Sequence, residues 1–271
     1  MELDHLHRTT PRARALQELR LFFTALQFYT RLPIPRWVGF DAQWLQQASR
    51  YFPAVGIVVA LVTIVVYCLA YLLLRNQLVA VLLSTIAGIL LTGAFHEDGF
   101  ADACDGFGGG NTSERVIEIM TDSRVGAFGA IGIAMMLALK CATLAALPAP
   151  VVVTALLVAH PLSRLAAISL VRFMTYAKAG GKAKPVALGI ADRDLLIAGL
   201  ITLLPIVLFG AIDLMPWYGI AAGMLPAAGM WWWAMRFFQR RLGGYTGDCL
   251  GAAQQVTEVA FYLGVLAVVP R

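Results

Sequence analysis

Charge is scarce in this 271-residue chain: Asp, Glu, Lys and Arg make up 14% of it, where a typical soluble domain carries about 25%. That scarcity argues against an ordinary water-soluble globule. Cysteine is scarcer still. Cys68, Cys104, Cys141 and Cys249 stand too far apart for a C-x-x-C pair, a zinc framework or a disulfide scaffold, so they read as packing residues. Residues 1–20 are charged, contain Pro11 and lack an uninterrupted apolar core after a basic start. They do not read as a cleavable leader and are expected to form a cytoplasmic tail. The net charge of +5 raises the possibility of nucleic acid, but membrane topology explains a basic bias more simply, and no nucleic-acid partner is expected.

Apolar sequence is what the chain has in excess. Hydrophobic residues make up 59% of it, the mean hydropathy is +0.74, and the runs reach the length of about 20 residues that a helix needs to cross a bilayer. Seven spans are predicted, at 52–74, 77–95, 126–146, 149–171, 195–212, 217–235 and 252–270. These are long continuous runs rather than short alternating ones, which excludes a transmembrane β-barrel. The expected fold is all-α, a polytopic transmembrane helical bundle forming one integral membrane domain over 1–271, in which 1–51 supplies a cytoplasmic tail and an interfacial helix. Between Arg12 and Arg31, residues Leu16, Leu19, Phe22, Phe23, Leu26 and Tyr29 recur at helical spacing beside arginines, as in a helix lying in the interface, and Pro33 and Pro35 stop it.

The basic residues are unevenly shared between the loops. With the N-terminus in the cytoplasm, seventeen of the twenty-one Lys and Arg residues fall in the tail and loops on that side, and only Arg75 and Arg271 on the other. An odd number of spans then leaves the C-terminus outside.

Against this pattern, seven of the sixteen acids crowd into one cytoplasmic segment: Glu97, Asp98, Asp102, Asp105, Glu114, Glu118 and Asp122. Asp98, Asp102 and Asp105 stand at i, i+4 and i+7, one face of a helix expected to continue from the second span at the membrane surface. Three like charges on one face repel, so the face is costly unless a cation neutralises it. Hard oxygen ligands select Mg²⁺, Mn²⁺ or Ca²⁺ over zinc. A solvated acidic face is the plainer alternative. Gly106 to Gly110 read as a flexible turn, after which Asn111 or Thr112 caps a second helix with Glu114, Glu118 and Asp122 at i, i+4 and i+8. Two short helices with acidic faces can thus bring carboxylates together.

Two other motifs fail. His96-Glu97 lacks the second histidine of H-E-x-x-H, because position 100 is Phe, and the glycines lack the lysine of a P-loop. A second polar cluster, Gly243-Gly244-Tyr245-Thr246-Gly247-Asp248, precedes the last span, with Gln254, Gln255 and Glu258 deeper in apolar sequence. Ionisable groups inside membrane helices are expensive and usually functional, which makes Asp248 and Glu258 site candidates. Glu258 has a structural alternative, a salt bridge to Lys140 or Arg164.

The segments Phe95-His96-Glu97-Asp98-Gly99-Phe100-Ala101-Asp102-Ala103-Cys104-Asp105-Gly106 and Glu118-Ile119-Met120-Thr121-Asp122-Ser123-Arg124-Val125-Gly126 resemble the signature of the cobalamin synthase family, the adenosylcobinamide-GDP ribazoletransferases. The likeness extends from Phe28-Tyr29-Thr30-Arg31-Leu32-Pro33-Ile34-Pro35 through Phe52-Pro53-Ala54-Val55-Gly56 to Thr246-Gly247-Asp248. Gln255 departs from it, standing where the family's pattern leads one to expect an acid. The resemblance implies a membrane-bound, Mg²⁺-dependent transferase of the bacterial inner membrane, with its active site in the cytoplasm. Its partners are adenosylcobinamide-GDP and α-ribazole or its 5′-phosphate, in a setting of membrane lipid; its products are GMP and adenosylcobalamin or its phosphate.

Residue chemistry and resemblance converge on phosphoryl transfer. Asp98, Asp102, Asp105 and Asp122 are the expected Mg²⁺ ligands, and Asp102, Asp105 and Asp122 the expected catalytic residues; Glu97, Glu118, Arg124, Asp248 and Glu258 are secondary candidates. Lys178, Lys182 and Lys184 can hold phosphates but also read as topology signals, so they stay outside the site. Two alternatives remain. Asp102-Ala103-Cys104-Asp105-Gly106 matches the opening of the CDP-alcohol phosphotransferase motif, although Gly109 and Gly110 stand where that motif has Ala and Arg. A divalent-cation transporter would instead line a path with acids at mid-span.

Overall fold

The computed structural model describes residues 11–39, 41, 43–178, 189–211 and 215–270. Its helices, in chain order, are α1 (Pro11–Tyr29), α2 (Trp44–Ala48), α3 (Phe52–Leu74), α4 (Gln77–Thr92), α5 (Phe95–Gly109), α6 (Ser113–Thr121), α7 (Ala127–Ala145), α8 (Ala149–Phe173), α9 (Asp192–Ala211), α10 (Trp217–Leu242) and α11 (Gly247–Val268). Among the described residues there is no strand, only an isolated bridge between Tyr176 and Tyr245.

A helix occupies each of the seven predicted spans, as α3, α4 and α7 to α11. The continuous stretch Trp44–Leu74, α7 and α8 are each long and apolar enough to cross a membrane, and α4 with α5 passes the same test as a bent pair. Local chemistry sets many of the ends. The Asn76 side chain accepts a hydrogen bond from the Val79 amide at 3.1 Å and starts α4, while Gly243 closes α10 at φ 68°.

Helices α8 and α11 lie at the centre. On α11 the run Gly251–Gln255 and the run Thr257–Tyr262 are buried, and α8 is buried along most of its length. The outer helices keep one side uncovered. Leu61, Val65, Leu69 and Leu72 on α3, Leu82, Ile86 and Leu90 on α4, and Leu196, Leu200, Leu203 and Leu204 on α9 all face outward. Each exposed side chain of this size forgoes about 1.5–3 kcal/mol of burial in water, so a belt of them fits lipid and not solvent. The protein is an all-α membrane protein.

The structure departs from the sequence-based expectation at two places. The acidic helix does not run straight on from the second span: Gly93 at φ 68° and Ala94 at φ 59° break it, and α5 leaves α4 at 90°. Nor are Gly106 to Gly109 a flexible turn. They form the last turn of α5 because they are pressed against neighbours; a Cβ on Gly106 would lie 2.6 Å from Met120 Cγ, and one on Gly108 2.5 Å from the Phe128 ring. The hinge shrinks to residues 110–112, and Thr112 caps α6 by accepting from the Arg115 amide at 3.3 Å.

Candidate active site

The 90° bend swings α5 across the N-terminal end of α11. Gly99 and Gly251 allow the two backbones to touch: a Cβ on Gly99 would stand 3.1 Å from Asp248 Cα, and one on Gly251 3.0 Å from the His96 carbonyl. Small residues permit this approach, as they do between membrane helices generally. Thr246 caps α11, its hydroxyl accepting from the Cys249 amide at 3.3 Å and donating to Asp248 Oδ2 at 3.3 Å.

Across this contact Asp102 of α5 lies within electrostatic reach of Asp248 of α11, and Asp98 acts on both. Burial, followed by the charges of Asp248, Asp98 and Asp105, pushes the Asp102 carboxyl up to about 7. Burial also raises Asp248, opposed by Lys178 and by the Thr246 hydroxyl. Lys178 arrives through backbone pairing: the Tyr245 amide donates to the Thr175 carbonyl at 2.9 Å and the Ala177 amide to the Tyr245 carbonyl at 2.8 Å. The sequence names this lysine as able to hold phosphate but leaves it outside the site, because a basic residue after a span is indistinguishable there from a topology signal. Lys182 and Lys184 lie outside the described residues.

The other predicted ligands, Asp105 and Asp122, and the secondary candidates have partners of their own. The Asp105 carboxylate accepts hydrogen bonds from the amides of Gly126 at 2.6 Å and Gly129 at 2.8 Å, so it caps the N-terminus of α7 from α5. Asp122 accepts from the Arg124 side chain at 2.6 Å and from the Arg124 amide, which hold its carboxyl down to about 2. Glu118 is exposed and pairs with Arg115. Arg115, Asp122 and Arg124 border an open groove of about 530 Å³ that reaches Asp105. Glu97 turns inward to Gln255 Nε2 at 3.0 Å, and Glu258 is ion-paired with Lys140 at 2.5 Å. Among the described residues, no three His, Cys, Asp or Glu side chains form a ready-made metal site.

Residues 21–266 match the profile of a family described as cobalamin-5-phosphate synthase. The chain belongs to that family. The adenosylcobinamide-GDP ribazoletransferase of Shewanella frigidimarina is 43% identical over 263 residues, covering 93% of this chain and 96% of the relative. That of Ralstonia pickettii is 45% identical over 250 residues, covering 90% and 94%, and that of Ralstonia nicotianae 46% over 258 residues, covering 93% and 97%. No solved structure matches. Cobalamin-5-phosphate synthase membership agrees with the resemblance, and the motifs that carry it fall on this site: the first, directly after the bend, forms most of α5, the second joins α6 to α7, and Thr246-Gly247-Asp248 starts α11.

Proposed function

We propose that this chain is an adenosylcobinamide-GDP ribazoletransferase working at the cytoplasmic face of a bacterial inner membrane. It transfers the cobinamide phosphate of adenosylcobinamide-GDP to α-ribazole or its 5′-phosphate, releasing GMP. The observation that carries the reading is the close approach of α5 and α11 at Gly99 and Gly251, which couples the charges of Asp98, Asp102 and Asp248 inside the family's motifs. The orientation is supported by the loop distribution of Lys and Arg.

The donors suit Mg²⁺. All three are hard carboxylate oxygens whose mutual repulsion is opposed chiefly by Lys178. Mg²⁺ commonly takes only one or two carboxylates together with substrate phosphates and water, so a ready-made triad is not required. Asp98, Asp102 and Asp248 would hold the ion, which when bound screens the pyrophosphate and stabilises charge on the departing GMP.

The chain's own groups do the rest. A ribose hydroxyl of the ribazole attacks the phosphorus joined to cobinamide, and the bond from that phosphorus to the GMP oxygen breaks. A carboxylate oxygen of this cluster takes the hydroxyl proton. Lys178 Nζ holds a non-bridging phosphate oxygen, and Arg115 and Arg124 offer cationic groups in the adjoining groove. A transporter would leave its deep acid free for cargo, whereas Glu258 is spent on Lys140.

The test uses purified full-length protein in lipid nanodiscs with adenosylcobinamide-GDP and α-ribazole. Mg²⁺-dependent GMP release is expected, and Asp102→Asn and Asp248→Asn should each lower it by about 10²-fold or more while leaving thermal stability near that of the parent. Unchanged turnover in both variants, or cation flux in vesicles without GMP release, overturns the reading.

A further inference from the structure

A second polar feature, to which the proposed transfer assigns no chemical step, begins at Glu97, the residue before Asp98. A cavity of about 20 Å³ is lined by α3, α4, α5, α7, α8 and α11, and its wall includes His96, Glu97, Lys140, His160, Arg164 and Glu258 together with Gln254 and Gln255. These side chains are strongly connected on one side. Glu258 accepts from Lys140 Nζ, from Gln254 Nε2 at 2.5 Å and from the Tyr262 hydroxyl at 3.1 Å, and one of its oxygens lies 3.4 Å from His160 Nδ1. On the other side Gln255 Nε2 donates to Glu97 Oε1 at 3.0 Å.

Between the two sides the bonds stop. His96 Nε2, Glu97 Oε2, His160 Nε2, Arg164 Nε, Gln254 Oε1 and Gln255 Oε1 are all buried with no hydrogen-bond partner from the protein itself. All six belong to residues that line the one cavity. Leaving a single such atom unpaired costs about 1–3 kcal/mol, and six in one place is far from the usual condition of buried polar groups. The missing partner must both donate and accept, because Arg164 Nε carries a hydrogen while Glu97 Oε2 has only lone pairs. It must also be neutral, since the two cations Lys140 and Arg164 already balance the two anions Glu97 and Glu258. Water meets both conditions, and the cavity exceeds the roughly 10–15 Å³ that one water needs.

We propose that the cavity binds ordered water, which joins the Glu258 cluster to Glu97, and that Gln255 and Glu97 are thereby positioning residues for the reaction. Glu97 immediately precedes Asp98 on α5, and Gln255 lies two turns beyond Asp248 on α11. The hydrated bridge therefore fixes the register in which Asp98 and Asp102 face Asp248. This rests on the reading of those three acids as the Mg²⁺ site.

The experiment compares full-length Gln255→Leu and Glu97→Gln with the parent in nanodiscs, measuring the Mg²⁺ concentration for half-maximal GMP release, kcat and thermal stability, beside Asp102→Asn as reference. A map of the parent resolving solvent is determined as well. Water density is expected within hydrogen-bond reach of Glu97 Oε2 and Gln255 Oε1. Gln255→Leu is expected to raise the half-saturating Mg²⁺ concentration at least about fivefold with its melting temperature largely kept, and Glu97→Gln supplies the same test if Gln255→Leu does not accumulate. An empty cavity, or parental Mg²⁺ dependence in a folded variant, overturns the inference. If Asp102→Asn is also fully active, the underlying site assignment fails; if it is inactive while Gln255→Leu is parental, only the positioning role fails.

Discussion

Two aspartates of one acidic segment are driven in opposite directions by what surrounds them. Burial and three neighbouring carboxylates lift Asp102 to about 7, whereas Arg124 holds Asp122 down to about 2. For Asp102 the native carboxyl binds its proton more tightly than the unfolded chain does. Its stabilising effect is complete below the ordinary carboxylate value and is lost as pH rises towards 7. Metal-free protein is therefore expected to lose thermal stability between about pH 4 and pH 7, with Asp102→Asn flattening that decline and Mg²⁺ opposing it most at the upper end of that window. A melting series with and without Mg²⁺ checks this. Asp105 yields a different outcome. As the cap of α7 it contributes through two amide hydrogen bonds, so Asp105→Ala should cost about 1–2 kcal/mol of stability. The Mg²⁺ concentration giving half-maximal turnover should move far less than in Asp102→Asn, and an equal shift in both would make Asp105 a ligand.

Among the helices, α8 and α11 carry the polar interior, and the Lys140–Glu258 pair joins α11 to α7. Removing one partner of a buried pair strands the other charge, at a cost of about 3–5 kcal/mol. Lys140→Met is accordingly expected to melt well below the parent, and Lys140→Met with Glu258→Gln to recover much of the loss in a double-mutant comparison. The positions of the long helices were readable because an apolar run of bilayer length forms little else than a membrane helix, and the acidic motif was readable from its i, i+4, i+7 spacing. The break at Gly93 and Ala94 was not. Alanine in the left-handed region has no sequence mark, and without the bend nothing indicates that Asp105 meets α7 while Asp248 meets Asp102. Lys178 was hidden for a related reason, since its place depends on pairing between residues 175–177 and 245.

Viewed as a whole, the molecule wraps a polar centre in an apolar coat, and the proposed orientation can be tested directly. In a background lacking its four cysteines, a cysteine at position 75 should react with an impermeant maleimide on intact cells from outside, and one at 115 only after the inner membrane is opened. The reverse pattern would put the acids on the wrong side for a cytoplasmic nucleotide substrate. The right angle between α4 and α5 reaches further than the geometry of the site. If α4 stands upright in the bilayer, a helix set square to it would lie along the headgroup layer, and its carboxylates would share a thin film of water with lipid phosphates. Anionic lipid enriches divalent ions in such a film and repels a pyrophosphate, so the charge of the surrounding bilayer would be a silent participant in the proposed turnover.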